Sequence, residues 1–197
     1  MKRYFFIFRE ICIFWTKVFL IPLLINFPEV GYSKVLSVRS SLGATFCGEK
    51  VIREGDPIKS TCEVRTQHNS NIYFQKGANI FSFGEDSIAT LDSSNKIQLK
   101  SGTLRVKTEV DLIITTPRAQ IELSQGDLLI KESPFLGETE VVSLKGVVKL
   151  SSKSEKNDYV DIHPNHWGGL GGRFNKKIGD LVRLKPDQVN VFRSILD

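Results

Sequence analysis

Short runs in which apolar and polar residues alternate dominate this chain from Lys34 onward. Clear examples lie at 72–74, 104–106 and 121–123. A period of two places one face of a strand on a core and the other in water. Turn-forming residues separate the runs at a spacing of roughly eight to twelve residues, which is typical of compact β folds. The sequence therefore predicts an all-β fold of many short antiparallel strands, arranged as a sandwich or a short β-solenoid.

The C-terminal stretch departs from this strand pattern. A proline that suits the first turn of a helix opens the segment 186–197, and Val189, Phe192 and Leu196 follow at helical spacing. We therefore expect a β domain over residues 34–185 that ends in a short terminal helix.

The first 33 residues are predicted to be an export signal. After a basic start, the largely apolar run 18–27 is too short to cross a membrane as a helix, but it has the length of a signal-peptide core. Small residues at its end favour cleavage before Lys34. The alternative is an uncleaved anchor over 11–27, which alone would give membrane contact. That anchor would bury Lys17 at a cost of about 2.5–3.5 kcal/mol.

Two cysteines, Cys47 and Cys62, lie in the predicted β domain. In an oxidising compartment such a pair tends to close, and a loop of about fifteen residues would contribute about 3 kcal/mol. The alternative is two unconnected thiols, because a sequence does not show whether the two Cα atoms lie within reach of each other. Two thiolates with only His68 nearby make a poor zinc site.

The net charge of +5 gives no support to nucleic-acid binding. The first 33 residues carry four basic and two acidic side chains, a net of +2, so the rest of the chain carries about +3 (5 − 2). Charges of both signs are mixed throughout that part, without the basic stripe that nucleic acids require. We therefore expect no nucleic-acid partner.

Four short motifs follow one another over about residues 50–152. The first is a Gly-Asp turn with a threonine and a second turn, and the second is a glycine between the two strands of a pair. The third is a Thr-Pro-x-Ala element, and the fourth is a glycine-centred closing hairpin. The residues concerned are Gly55, Asp56, Thr66, Gly77, Gly102, Thr116, Pro117, Ala119, Gly126 and Gly146. Glycine permits sharp turns between strands, and proline holds the backbone extended where the chain enters the next strand.

In this order the motifs resemble the FecR family of periplasmic signalling domains. The resemblance implies an exported β domain that senses or signals by contact with another envelope component. Two departures limit it. Gln125-Gly126-Asp127 stands where relatives carry Gly-Thr, and the few residues before the apolar run leave no room for the cytoplasmic anti-sigma part. The resemblance therefore implies the exported domain alone.

A pair of histidines beside an aspartate, in Asp161-Ile-His163-Pro-Asn-His166, was the first candidate for a metal site. Two imidazoles converge on a metal when they lie four residues apart on a helix. Pro164 instead indicates a turn, so we predict no metal site there.

The next stretch is the predicted contact loop. Tryptophan, arginine and phenylalanine side chains dominate binding surfaces, and Trp167, Arg173 and Phe174 lie close together here. The intervening glycines 168–172 suit a flexible hairpin tip better than an anion-binding nest, because no helix pattern follows them.

No arrangement of side chains predicts catalysis. No nucleophile elbow is present, and the acidic residues are scattered over turns and strand exteriors. We expect a non-enzymatic protein without cofactors, located in the periplasm or cell envelope, that binds another envelope protein or a cell-wall polymer. The alternatives are a structural or adhesive protein that binds the cell wall or carbohydrate, and a carbohydrate hydrolase, which would need two carboxyl groups about 5–10 Å apart.

Overall fold

The computed structural model describes residues 36–58, 61–92, 96–155, 157–172 and 177–197, which form seventeen strands and one helix. The strands are β1 (Leu36–Leu42), β2 (Thr45–Cys47), β3 (Lys50–Val51), β4 (Pro57–Ile58), β5 (Cys62–Thr66), β6 (Asn71–Lys76), β7 (Asn79–Phe83), β8 (Ile88–Leu91), β9 (Lys96–Thr108), β10 (Leu112–Thr115), β11 (Ala119–Leu123), β12 (Gly126–Ser133), β13 (Glu138–Lys145), β14 (Val148–Ser152), β15 (Tyr159–Ile162), β16 (His166–Gly171) and β17 (Val182–Arg183); the helix is α1 (Pro186–Ser194). The predicted signal segment 1–33 lies outside the described residues. Within them, no helix has the length and apolar character needed to cross a membrane.

The strands form two sheets that share the long strand β9. The front sheet has the order β4-β1-β6-β7-β9-β12-β13-β16-β17, and the back sheet has the order β3-β2-β5-β8-β9-β10-β11-β14-β15. Strand β9 pairs with the back sheet up to Ser101 and with the front sheet from Gly102, where φ is +90°. A Cβ at Gly102 would lie 2.5 Å from the Ser87 Cα, so only glycine fits this crossing.

One hydrophobic core lies between the two sheets. Phe74, Phe83 and Leu104 of the front sheet and Ile114 and Ile121 of the back sheet are all fully buried in it. The Phe74 and Phe83 rings pack edge to face with centroids 5.8 Å apart. The predicted all-β fold is confirmed.

Most strand pairs are antiparallel, as predicted, and one pair is parallel. Strand β10 runs parallel to the first half of β9, with Ile114 opposite Ile97. The reason is the crossing in β9. The chain leaves the front sheet after Thr108 and re-enters the back sheet at Leu112, beside the start of the strand that it has just completed.

Helix α1 covers a second, smaller hydrophobic cluster on the outer face of the front sheet. Leu129, Val142 and Leu144 of β12 and β13 pack there with Val189 of the helix. The predicted terminal helix is therefore confirmed, although it ends at Ser194 rather than at the last residue.

The disulfide between Cys47 and Cys62 is confirmed. The two Cα atoms lie 5.5 Å apart and the sulfurs are bonded. The bond joins β2 to its neighbour β5 in the back sheet, where Cys47 lies opposite Val64.

Candidate binding site

The Thr-Pro-x-Ala motif forms a tight turn between β10 and β11. The Thr116 hydroxyl accepts hydrogen bonds from the amides of Ala119 (3.0 Å) and Arg118 (3.3 Å), and the Thr116 amide donates to the Ala119 carbonyl (2.9 Å). Pro117 has no amide hydrogen to satisfy at the corner of this turn. The turn thus fixes the direction in which the Arg118 side chain leaves the backbone.

A buried carboxylate then holds the Arg118 guanidinium. Glu132 has no exposed side-chain surface, and its Oε1 accepts a hydrogen bond from Arg118 Nη1 at 2.7 Å. Its Oε2 accepts one from the buried Thr139 hydroxyl, which also lies 2.9 Å from the Thr116 hydroxyl. Burial raises the pKa of Glu132, against the effects of Thr139 and Arg118. This network ties the motif turn to β12 and β13.

A cleft of about 790 Å³ opens beside this turn. Arg118, Lys153, Gly171 and Gly172 are among the residues that line it. Two hydrogen bonds fix the position of Lys153. Its backbone amide donates to the Arg118 carbonyl, and its side-chain Nζ donates to the Thr116 carbonyl. The wall of the cleft is therefore built from ordered side chains.

The tip of the β12–β13 hairpin projects an apolar pair into solvent next to this cleft. Phe135 is 98% exposed and Leu136 is 56% exposed. The tip is anchored at its base: the Gly137 amide donates to the Pro134 carbonyl, and a Cβ at Gly171 would lie 2.1 Å from the Gly137 carbonyl oxygen. An aromatic side chain that is almost fully exposed, on a turn fixed by hydrogen bonding and close packing, is typical of a contact surface rather than of a core.

Of the predicted contact loop, Trp167 is the residue that the structure describes. Trp167 lies in strand β16, opposite Val142, and its indole N–H donates to Glu140 at 3.2 Å. It packs against the cluster under helix α1. Arg173 and Phe174 lie outside the described residues.

The prediction of a flexible hairpin tip over 168–172 is wrong for residues 168–171. These residues continue β16, with Gly168 opposite Val141 and Gly169 opposite Glu140. Close packing against backbone requires glycine at Gly171, where a Cβ would lie 2.1 Å from the Gly137 carbonyl oxygen.

The remaining motif residues lie at separate corners of the fold. The Asp56 carboxylate accepts a hydrogen bond from the amide of Arg53 in the turn that contains Gly55, and Gly77 adopts positive φ in the β6–β7 hairpin turn. The predicted closing hairpin around Gly146 is wrong: Gly146 has positive φ in a turn that carries the chain from β13 in the front sheet to β14 in the back sheet, and these two strands do not pair. These motif residues do not converge on one site. Only Thr116, Pro117 and their neighbours contribute to the cleft.

Sequence reasoning missed one cluster altogether. The turn after β5 and the turn after β7 bring His68 next to Glu85 and Asp86, with ligand atoms within 4.8 Å of one another. Seventeen residues separate His68 from Glu85 in the chain, and only the fold brings the two turns together. The other two histidines, His163 and His166, have ring centroids 6.5 Å apart. His166 Nδ1 lies 3.0 Å from the Pro164 carbonyl oxygen.

Comparison with known proteins gives a likeness of fold. Two crystal structures of a candidate anti-sigma factor from Parabacteroides distasonis superpose with TM-scores of 0.57 and 0.56, at 11% and 10% identity. They cover 68% and 66% of this chain, and this chain spans 64% of each solved chain. No family model and no curated protein matches the sequence. At this identity the comparison shows the fold alone.

Proposed function

We propose that this protein is an exported regulatory domain of the cell envelope that acts by binding another envelope protein. It performs no catalysis and needs no cofactor. The observation that carries the proposal is the apolar hairpin tip, Phe135 and Leu136, held in solvent beside an ordered cleft. Such an exposed aromatic, next to an oriented arginine, has the composition of a binding hot spot.

The fold and the disulfide support the envelope and regulatory parts of the proposal. The structures that share this fold carry the description of candidate anti-sigma factors, which are regulatory proteins. The Cys47–Cys62 bond is of a kind that persists in oxidising compartments outside the cytoplasm. The predicted signal over 1–33 and the ordered FecR-like motifs point in the same direction.

The tip and the cleft would bind in complementary ways. Burying the Phe135 side chain in a partner pocket is worth about 1.5–3 kcal/mol. The turn at the base of the tip loses little conformational entropy on binding, because the Gly137 hydrogen bond and the close approach of Gly171 already fix it. Arg118 and Lys153 then offer donors to carbonyl or carboxylate groups of the same partner.

Affinity capture from the native cell envelope tests this function. The wild-type chain should recover one discrete envelope protein, and Phe135→Ser combined with Leu136→Ser should reduce that recovery at least tenfold. Val191→Ser is the matched control, because Val191 is an isolated, 61% exposed apolar residue on helix α1. Recovery that is unaffected by the tip variant, or recovery of cell-wall fragments instead of a protein, would overturn the proposal.

A further inference from the structure

The imidazole of His68 faces two carboxylates at a spacing that suits a metal ion. Its Nδ1 lies 3.2 Å from Glu85 Oε2 and 3.3 Å from Asp86 Oδ2. Zinc binds nitrogen and oxygen ligands at about 2.0–2.1 Å in a tetrahedron, which places neighbouring ligand atoms about 3.3 Å apart. The two separations therefore already match two edges of a zinc coordination shell. We propose that His68, Glu85 and Asp86 form a zinc-binding site.

The type of donor atoms selects the metal. One imidazole nitrogen and two carboxylate oxygens are ligands that zinc accepts, whereas calcium and magnesium are held by six or more oxygen atoms. Three protein ligands leave a fourth position of the tetrahedron open. This is the coordination of zinc sites that receive a water or an external ligand, rather than that of closed structural sites.

Hydrogen bonds between buried groups hold the two ligand turns together. The Thr66 hydroxyl accepts a hydrogen bond from the Ser87 amide at 2.9 Å and donates one to the Gly84 carbonyl. The Ser87 hydroxyl donates to the Glu85 carbonyl at 3.3 Å. Because the backbone of the carboxylate turn is fixed against the end of β5, zinc binding would require only small side-chain movements.

A cavity adjoins two residues of the cluster. It has a volume of about 670 Å³, and both His68 and Asp86 line it together with Phe46, Arg65 and Ile88. This space is independent of the hydrogen bonds that form the cluster. It provides room for a water molecule or a small anion as the fourth zinc ligand.

Titration of the full chain with Zn²⁺ tests the site. The protein is purified without a histidine tag, freed of metal by a chelator, and titrated at neutral pH by calorimetry. We expect saturable binding of one zinc ion per chain, with an affinity that falls at least about tenfold in His68→Ala and in Asp86→Asn. All three ligands are exposed, so these variants should fold, and circular dichroism verifies this.

His163→Ala and His166→Ala are the matched controls, because they remove the other two histidines of the chain. Zinc affinity should be unchanged in both. A second readout is thermal unfolding, since a ligand that binds only the folded state raises Tm; Zn²⁺ should raise it in the wild type and not in His68→Ala. The site is refuted if no saturable binding occurs, if binding survives in His68→Ala, or if a control variant abolishes it. Because the pure chain is used, this result is separate from the outcome of the capture experiment.

Discussion

Arg105 is the residue that joins the front sheet to the end of the chain. Its side chain is only 3% exposed and lies on the outer face of β9. It donates to both Asp127 oxygens, at 3.1 and 3.0 Å, and to the main-chain carbonyls of Arg193 and Ile195. A buried guanidinium with this many acceptors fixes the segment after helix α1 against the sheet.

Removing the Arg105 guanidinium should greatly lower the free energy of unfolding. Arg105→Met leaves the largely buried Asp127 without its partner, so we expect the free energy of unfolding to fall by about 3–5 kcal/mol in urea denaturation. Lys107→Met is the control. Lys107 also pairs with Asp197, but in a mostly exposed position, where such a pair contributes about 0–1 kcal/mol. Equal losses in the two variants would contradict this role of Arg105.

Two glycines with positive φ provide a second test at this scale. A Cβ at Gly146 (φ +84°) would lie 2.1 Å from the Gln125 carbonyl oxygen, whereas one at Gly48 (φ +63°) would meet nothing within 4 Å. Gly48→Ala should therefore cost about 1–2 kcal/mol from its left-handed backbone alone. Gly146→Ala should cost a further 1–3 kcal/mol or so from overpacking, measured by the same denaturation. Similar values for both would show that backbone conformation alone decides the effect.

Some of these residue roles could be predicted from the sequence and others could not. Glycines at corners were predicted, and Gly55, Gly77, Gly102 and Gly146 all adopt positive φ. Arg105 was not identified, because an arginine between Leu104 and Val106 has the pattern of an ordinary solvent-facing residue. Its burial results from α1 folding over it, which is a tertiary contact that local alternation does not encode.

At the scale of elements, helix α1 depends on a set of ionic contacts at its C-terminal end. The Asp197 carboxylate lies 2.7 Å from Lys107 Nζ and 2.9 Å from Arg105 Nη1, and the Tyr73 hydroxyl donates to the Asp197 main-chain oxygen. The hydrogen bond from Lys107 and the charge of Arg105 hold the pKa of Asp197 below its ordinary value. The apolar cluster under the helix is small, so these contacts matter for its attachment.

Acid should therefore loosen this helix. A carboxyl whose pKa is lowered by folding stabilises the folded state above its unfolded pKa, and that contribution is lost as the pH falls through the lowered value. Hydrogen exchange of the α1 amides, corrected for intrinsic rates, should lose protection on acidification before the core strands do. Asp197→Asn should lose protection already at neutral pH and respond less to acid. Protection that is independent of pH in the wild type would contradict this.

The elements themselves were partly predictable. The short strands and the start of α1 at Pro186 follow from alternation, turn residues and helical spacing. The sequence predicts a loop where β16 lies, because histidine, proline and five nearby glycine or asparagine positions weaken any strand signal. Pairing with β13 on one side decides its conformation instead, and local propensity is overridden.

At the scale of the whole molecule, the crossing of β9 from one sheet to the other organises the fold. Alternation shows that each strand has a buried face, but it does not show which strands become neighbours. The sequence alone therefore could not decide between sandwich and solenoid, nor predict the parallel pair β9–β10. The candidate site was half predicted: the Thr116-Pro117 turn was identified from its motif, whereas Phe135 was not singled out.

The account of the whole molecule rests on the apolar tip being a contact surface for an envelope protein. The most direct test replaces Phe135 with a photoreactive benzoylphenylalanine in living cells and illuminates them. Tyr159, an aromatic residue that is 61% exposed in β15 and has Lys149 Nζ 5.3 Å from its ring centroid, is the matched control position. The account predicts a single protein adduct from position 135 and none from position 159. No protein adduct from position 135, or the same adducts from both positions, would contradict it.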